Sequence, residues 1–257
     1  MTEAEYRAAP GINKSTLWEL RRSPAHYRHL IQHPREDTLA LRLGRAVHCA
    51  VLQPTRYRRE YAILPEGLDK RTKAGKEAAA RFEAENAGRT ILTPDDGAMI
   101  RGIVRSIRNT PEAVRLLKGA KREKPFFWTD PDTGLTCKCL VDAVKPGAIV
   151  DLKTTTDAGT EAFTRDALRH GYHVQAAHYI QGVQAHNADE PIEWYFIVVE
   201  KNAPYAVNVL RADESFIDHG RWQRMELMDV LRGCIERDAW PGYGANDLVL
   251  PSWAEVV

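Results

Sequence analysis

The sequence has few cysteines, no long hydrophobic run and no repeated or low-complexity segment, and each shortage excludes a class of protein. The 257 residues include only four cysteines, too few for a disulfide framework, so we expect reduced thiols. Cys137 and Cys139 are separated by one residue, but they lack the paired C-x2-4-C spacing and the nearby histidines of a zinc site. The cysteines are therefore interpreted as structural.

Hydrophobic stretches are short throughout the chain. None approaches the ~20 apolar residues that a membrane-spanning helix needs. The first residues, MTEAEYRAAPG, have neither the charged nor the apolar region of a secretory signal. We therefore expect a cytoplasmic protein with no membrane association. With 44% hydrophobic residues, the chain is long enough to bury a sizeable core.

Charge is unevenly distributed along the chain, although the net value is only +1. Residues 1–128 contain 25 Lys and Arg against 15 Asp and Glu, a balance of +10. Residues 129–257 contain 11 against 20, a balance of −9. A basic first half would attract a polyanion, and clustered carboxylates in the second half can hold divalent cations. Taken cluster by cluster, the charges also fit ordinary solvated helix faces.

The local pattern changes from helical to strand-like near residue 120. Apolar spacing and start signals predict helices over about 12–32, 38–53, 73–86 and 94–117, the first capped by Ser15 and the last broken at Thr110-Pro111. These helices predict an N-terminal helical region over residues 1–120, followed by a core over residues 121–257, in one compact domain.

The second half predicts a three-stranded antiparallel meander over 125–128, 135–144 and 148–155, with turns at Asp130–Gly134 and Lys145-Pro-Gly147. A long helix over about 161–186, interrupted near Gly171, follows the meander. Two more strands, EWYFIVVE and YAVNVLRA, and a closing helix over about 213–237 complete the predicted elements.

The clearest chemical signal is Asp142, then eight residues, then Asp151-Leu152-Lys153. If Lys145-Pro-Gly-Ala148 closes a two-residue hairpin, Asp142 lies directly opposite Asp151. Lys153 is two residues further along and shares that face of the sheet. Pro-Gly favours a type II turn, which is not the commonest type in tight hairpins, so the predicted register depends on this turn.

Two facing carboxylates repel each other unless a cation lies between them. Mg²⁺ binds one or two carboxylates together with water and phosphate oxygens, and it can activate that water and polarise a phosphate. Lys153 would then position the attacking water and neutralise developing charge. The spacing alone also fits a surface ion pair, because Asp and Lys are common residues.

Several further motifs, in the same order along nearly the whole chain, resemble the RecE-like exonucleases of the PD-(D/E)XK superfamily. They are Leu43–Pro54, Arg71–Glu77, Glu123–Trp128, the hairpin itself, the Q-x3-Y helix from Tyr172 to Tyr179, and the tail from Trp240 to Trp253. The resemblance implies an α/β fold with a restriction-endonuclease-like core, in which helices flank a central mixed sheet, and with an N-terminal helical elaboration. Val141 replaces the proline of the family's Pro-Asp motif, which changes a turn residue and leaves the ligand in place.

The resemblance also implies a metal site that combines both parts of the chain. His48, Asp142 and Asp151, with the backbone carbonyl of Leu152, would bind Mg²⁺, for which Mn²⁺ would substitute. Histidine is a competent ligand when it is neutral. Judged without the family, His48 on an apolar helix fits a structural role better.

Catalytic roles follow in the same way from the resemblance. Lys153, Asp142 and Asp151 would act on the scissile bond, and Glu123 would coordinate the metal or bridge to it through water. Gln175 and Tyr179 lie on one helix face and would orient the DNA backbone. Outside the family context, Glu123 fits a surface acid, and Gln175 and Tyr179 fit a packed helix face.

Basic residues before the hairpin are candidate contacts to the DNA backbone, without a base-reading pattern. They are Arg45, Arg71, Lys73 and Lys76.

The implied function is Mg²⁺-dependent 5′→3′ degradation of one strand of duplex DNA, which leaves 3′ single-stranded tails for recombination by strand annealing. The implied partners are duplex DNA ends and a RecT-like single-strand annealing protein, and the implied assembly is a ring-shaped homo-oligomer, a trimer or a tetramer. Two alternatives are a structure- or end-specific endonuclease of the same superfamily and a non-catalytic DNA-binding recombination accessory. The complete set of catalytic residue types argues against the accessory.

Overall fold

The computed structural model describes residues 1, 3–34, 36–67, 71–186 and 192–250. Its first part is mainly helical and contains α1 (Glu3–Ala8), α2 (Lys14–Leu17), a 3-10 helix (Trp18–Arg21), α3 (Pro24–Gln32), α4 (Leu39–Leu52), α5 (Pro54–Glu60), β1 (Tyr61–Ile63), α6 (Lys73–Glu85), β2 (Thr90–Leu92), α7 (Pro94–Arg108) and α8 (Pro111–Leu117). The second part contains β3 (Lys121–Thr129), β4 (Thr136–Lys145), β5 (Ala148–Thr155), α9 (Thr160–His170), α10 (Tyr172–Gln184), β6 (Glu193–Glu200), β7 (Val207–Arg211) and α11 (Glu214–Arg237).

A five-stranded mixed sheet in the order β3-β4-β5-β6-β7 forms the centre of the molecule. β5 and β6 are parallel, and all other neighbours are antiparallel. A parallel pair needs a crossover connection, which α9 and α10 provide. β1 and β2 form a separate parallel pair of three residues each. The observed architecture is the predicted α/β arrangement of a mixed sheet flanked by helices.

Helices cover both faces of the central sheet. Along β5 and β6, Ile149, Phe196 and Val198 pack with α9, α10 and α11, whereas Val150 and Ile197 pack with α4, α7 and α8. Successive residues of a strand point to opposite faces, so this alternation gives the molecule two cores. A charged side chain in such a doubly covered strand is buried and requires partners.

Most helix boundaries follow local sequence signals. Prolines start α3, α5, α7 and α8. Proline is tolerated there because an N–H group in the first turn of a helix makes no intrahelical hydrogen bond. α7 begins with a capping box between Thr93 and Asp96. The predicted cap Ser15 is wrong. Asn13 caps α2, because its backbone is extended and its side chain accepts a hydrogen bond from the amide of Thr16 at 3.0 Å.

Two glycines with positive φ set the backbone next to the Asp142–Lys153 hairpin. Gly147 has φ +74° in the β4–β5 turn, as the third residue of a type II turn requires, and Lys145 pairs with Ala148. Gly171 has φ +68° and separates α9 from α10, and a Cβ there would lie 2.6 Å from the Trp18 ring. The predicted hairpin register and the predicted interruption near Gly171 are both confirmed.

The N-terminal segment is joined directly to the central sheet. The Ile12 amide donates to the Thr136 carbonyl at 2.9 Å, and the Lys138 amide donates to the Ile12 carbonyl at 2.8 Å. The division of the chain at residue 120 stays a prediction. Within the described ranges, no helix is long and apolar enough to cross a membrane.

Candidate active site

The β4–β5 hairpin brings Asp142 and Asp151 to neighbouring positions. The backbone ladder ends at the pair Ala143 and Val150, one step before the two acids. Beyond this pair, a side chain replaces the backbone as the acceptor. The Asp142 carboxylate accepts a hydrogen bond from the Leu152 amide at 2.8 Å. A hydrogen bond to a carboxylate is among the stronger ones in proteins. Asp142 is therefore fixed against β5.

Three side chains of metal-ligand type converge from α4, β3 and β4. One ligand atom each from His48, Glu123 and Asp142 lies within 4.8 Å of the others, and His48 Nδ1 is 3.4 Å from Asp142 Oδ2. All three line a cleft of about 430 Å³. Two carboxylates and one imidazole form a donor set that suits a divalent cation. The residues therefore fit the metal that the sequence predicts.

Glu123 reaches this cleft from a backbone conformation that is unusual for its residue type. Its φ is +48°, in the left-handed region, although it lies within β3. The pairs on either side, Arg122 with Ala143 and Lys124 with Val141, put Glu123 opposite Asp142. Such a conformation costs about 1–3 kcal/mol for a residue other than glycine and clusters at functional sites.

Lys153 and Asp151 form the second half of the site. The Lys153 ammonium makes an ion pair with the Asp151 carboxylate, which is only 2% exposed. Gln175 bridges the two groups, because its Nε2 donates to Asp151 Oδ1 at 2.5 Å and its Oε1 accepts from Lys153 Nζ at 3.2 Å. Lys153 Nζ also lies 4.5 Å from the centroid of the Tyr172 ring. These contacts fix the lysine on three sides.

Burial and mutual charge shift the pKa values of the site. Burial raises the pKa of Asp151, and the negative charge of Asp142 adds to this effect, although Lys153 opposes it. Burial opposes ionisation of Asp142 as well, but His48, Lys153 and the Leu152 amide together lower the pKa of Asp142. Burial likewise opposes protonation of His48, yet Asp142 raises the pKa of His48. A metal ligand must be a neutral imidazole, so protonation of His48 competes with cation binding.

Comparison with known proteins identifies the family. Residues 14–249 match the family model described as a PDDEXK-like domain of unknown function, DUF3799. The chain belongs to this family. The match confirms the PD-(D/E)XK part of the resemblance, while the narrower likeness to RecE-like enzymes stays a prediction.

Solved structures resemble the PDDEXK-like chain to different extents. A protein described as a "putative exonuclease" from Eubacterium rectale has a TM-score of 0.64 at 13% identity, over 94% of this chain and 89% of that one. A phage-related exonuclease from Haemophilus somnus 129PT has a TM-score of 0.33 at 11% identity, over 76% of this chain and 95% of that one. No curated protein gives a significant match. The first superposition confirms the predicted fold class.

The predicted ligands of the PDDEXK-like site divide into two groups. His48 and Asp142 meet Glu123, whereas Asp151 lies outside that group of three within the described part of the chain. The Asp151 carboxylate contacts Lys153 and Gln175, although it interacts electrostatically with Asp142 and His48. Metal binding by Asp151 and by the Leu152 carbonyl stays a prediction.

The predicted orienting residues lie at different distances from the site. Tyr179 follows Gln175 by one helical turn and packs edge-on against Trp194, with ring centroids 5.8 Å apart. Burial raises the pKa of Tyr179 well above its ordinary value, so its hydroxyl stays protonated. A role for Tyr179 in orienting DNA stays a prediction.

The four predicted DNA-contacting cations do not all lie at the cleft. Arg45 lines the cleft and pairs with Asp37 at 2.5 Å. Arg71, Lys73 and Lys76 are exposed at the start of α6 and are not among the described residues that line the cleft. DNA contact by any of the four stays a prediction.

Two residues of the site were missed from the sequence. Tyr172 precedes Gln175 by three residues, so its place on the same helix face was available as a signal. Lys14 is 8% exposed, donates to the His170 carbonyl and lies 5.6 Å from the Tyr172 ring. Burial lowers the pKa of Lys14 to about 7, and repulsion from Lys153 contributes. A contact between residues so distant in the chain has no local sequence signal.

Proposed function

We propose that this PDDEXK-like chain is a divalent-metal-dependent nuclease that acts as a 5′→3′ exodeoxyribonuclease on duplex DNA ends. The observation that carries the proposal is the meeting of His48, Glu123 and Asp142 beside the Lys153–Asp151 ion pair. A cation-binding group next to a buried ammonium is suited to phosphodiester hydrolysis. The Eubacterium rectale protein, which shares the fold and is named as an exonuclease, supports the reaction class.

The acidic and imidazole side chains would hold Mg²⁺, with Mn²⁺ as a substitute. His48, Glu123 and Asp142 supply the donors that lie together, and Asp151 with the Leu152 carbonyl would complete the set. When bound, the cation supplies Lewis-acid polarisation of the phosphate and lowers the pKa of water. The hydrogen bond from the Leu152 amide to Asp142 Oδ2 fixes the orientation of this carboxylate before a cation binds.

Lys153 acts as a cation and hydrogen-bond donor. Burial disfavours its charge, but Asp151, Tyr172 and Asp142 together raise the pKa of Lys153, so the side chain stays an ammonium. An ammonium has three donors, of which Asp151 and Gln175 accept two, and the third can orient the attacking water or a phosphate oxygen. Gln175 holds both Lys153 and Asp151 in place, which reduces the reorganisation needed in the transition state.

The substrate assignment rests on charge and on the RecE-like motifs. The basic first half of the chain and Arg45 at the cleft favour a phosphate backbone without sequence preference. The motifs support duplex ends as substrate, 3′ single-stranded tails as product, and a RecT-like annealing protein as the next partner. They also support a ring-shaped trimer or tetramer as the assembly.

Linear duplex DNA and a covalently closed circle of the same sequence test the proposal together. With Mg²⁺, we expect rapid release of label from a 5′-labelled linear strand, stepwise shortening of a 3′-labelled strand, and an intact circle. Cutting of the circle would instead indicate an endonuclease. Intact linear and circular DNA with both Mg²⁺ and Mn²⁺ would overturn the proposal.

A further inference from the structure

A second polar pocket lies beside the candidate active site, and the proposed mechanism does not use it. It has a volume of about 260 Å³ and lies between the end of β5, the last turn of α9 and the residue that follows β6. Its polar lining includes the three consecutive threonines 154–156, Arg169, His170 and Lys201.

The pocket and the metal-binding cleft share one lining residue. Thr154 lines both cavities and follows Lys153 directly in β5. Tyr172 lines the pocket as well, while its ring lies 4.5 Å from Lys153 Nζ. Neighbouring residues of a strand are only about 3.3 Å apart along it. A chain that passes through the cleft would therefore reach the pocket within one or two of its own repeating units.

The lining chemistry suits a phosphate. The threonines, Arg169 and Lys201 offer hydroxyl, guanidinium and ammonium donors, the groups that contact phosphate oxygens in nucleic-acid complexes. Asp166 also lines the pocket, and it pairs with Arg169 at 2.7 Å. Arg169 Nη2 also lies 3.5 Å from His170 Nε2, and because a guanidinium has five N–H donors, these contacts restrict the position of Arg169 and leave donors for a ligand.

One feature of the pocket opposes anion binding, and a buried lysine offsets it. The pocket includes the C-terminal turn of α9, where backbone carbonyls carry partial negative charge. The Lys14 ammonium donates to one of these carbonyls, that of His170, from a position over the Trp18 and Tyr172 rings at 5.3 Å and 5.6 Å. Lys14 thereby satisfies one carbonyl of this helix end, and because burial lowers its pKa to about 7 it carries part of a positive charge near neutral pH.

We propose that this pocket binds a phosphate group of the nucleic-acid strand next to the phosphodiester that is cleaved. The proposal rests on the proposed nuclease function and adds a backbone-binding subsite to it. Arg169 and Lys201 contact the phosphate, the threonine hydroxyls complete its hydrogen bonds, and Lys14 supports the wall from behind. The lining offers no pattern that would read a base edge, so binding is independent of sequence.

Two double variants with equal charge change test the pocket. R169Q/K201Q removes its two exposed cations, whereas R165Q/R221Q removes two exposed arginines that lie outside it on α9 and α11. The dissociation constant for a labelled duplex is measured with Ca²⁺ in place of Mg²⁺, at salt concentrations from about 50 to 200 mM. We expect at least about 10-fold weaker binding and a smaller salt slope for R169Q/K201Q, and less than about a 2-fold change for the control.

The source of the phosphate is identified by neutralising one linkage of the DNA at a time with methylphosphonate. At one position near the cleaved bond, this change should weaken binding by the wild type but not by R169Q/K201Q. Competition by inorganic phosphate without any methylphosphonate effect would assign the pocket to free phosphate and overturn the proposal. Equal affinities of the two double variants would overturn it as well. A wild type that shows the expected binding pattern but hydrolyses no DNA contradicts the proposed function alone.

Discussion

At the scale of single residues, Glu123 shows the conflict between stability and function most clearly. Its left-handed backbone is unfavourable for any residue with a Cβ, and its carboxylate lies beside that of Asp142. The backbone conformation does not help the metal-free protein to fold. Both features are useful if the carboxylate is a metal ligand, since the conformation brings it together with His48.

Substitution of Glu123 by glycine and by alanine separates these effects. Glu123→Gly should be more stable than Glu123→Ala by about 1 kcal/mol, because only glycine adopts a positive φ without penalty. Both variants should bind Mn²⁺ at least about 10-fold more weakly, because each lacks a ligand. Urea unfolding without metal and calorimetric titration with Mn²⁺ measure the two quantities.

Lys121, an exposed residue of the same strand, provides the control for this pair. There the order should reverse, with Lys121→Ala more stable than Lys121→Gly, because glycine weakens an ordinary strand. If the alanine variant is more stable than the glycine variant at both positions, the positive φ of Glu123 does not strain the backbone.

Residue-scale prediction from the sequence succeeds where the spacing is local. Asp142, Asp151 and Lys153 belong to one hairpin, so the turn alone decides that they meet. The sequence does not show that Asp151 contacts Lys153 and Gln175 while Glu123 joins His48, because these contacts depend on the packing of α4 and α10 against the sheet.

At the scale of elements, a buried polar cluster joins the β3–β4 turn to α10 and α11. Arg224 donates to Asp130 at 2.5 Å through Nη2 and to His178 Nδ1 at 3.2 Å through Nε. A guanidinium can only donate, so His178 Nδ1 must accept and the ring must be neutral. Its Nε2 then donates to the Lys138 carbonyl at 3.2 Å. Burial, with the charge of Arg224, lowers the pKa of His178 to about 3.

This cluster makes the free energy of unfolding depend on pH. Below about pH 6.5 the unfolded chain protonates His178, but the folded chain does not until about pH 3, so stability is lost as pH falls through this range. A single such group contributes a slope of at most about 1.4 kcal/mol per pH unit. Urea unfolding of the wild type and of His178→Gln between pH 7 and pH 5 measures it. Equal slopes for the two proteins would contradict this account of the cluster.

Elements with several local turn signals were predicted correctly, and some short elements were missed. The meander, the break before Pro111 and the αL residue Gly171 all follow from turn chemistry. The three-residue strands β1 and β2 were missed, because they are too short for periodicity and pair across α6. α5 was missed because Pro54 was interpreted only as the end of α4, whereas it also starts the next helix.

At the scale of the whole molecule, the basic and acidic halves of the sequence meet at one site. α4 from the first half supplies His48, and the hairpin from the second half supplies Asp142, Asp151 and Lys153. The division in charge therefore does not separate a DNA-binding part from a catalytic part. Arg45 from the basic half and Asp142 from the acidic half line the same cleft, an arrangement suited to a polyanion that must approach a metal.

Mg²⁺-dependent hydrolysis of linear duplex DNA by Lys153→Met, compared with Lys145→Met from the other end of the same hairpin, tests the central claim most directly. Lys145 donates to the Arg115 carbonyl at 2.9 Å, away from the carboxylates. At saturating Mg²⁺ and DNA, we expect kcat to fall at least about 100-fold for Lys153→Met and to change less than about 2-fold for Lys145→Met. Cleavage at the wild-type rate by folded Lys153→Met protein would contradict the claim that this hairpin is the catalytic centre.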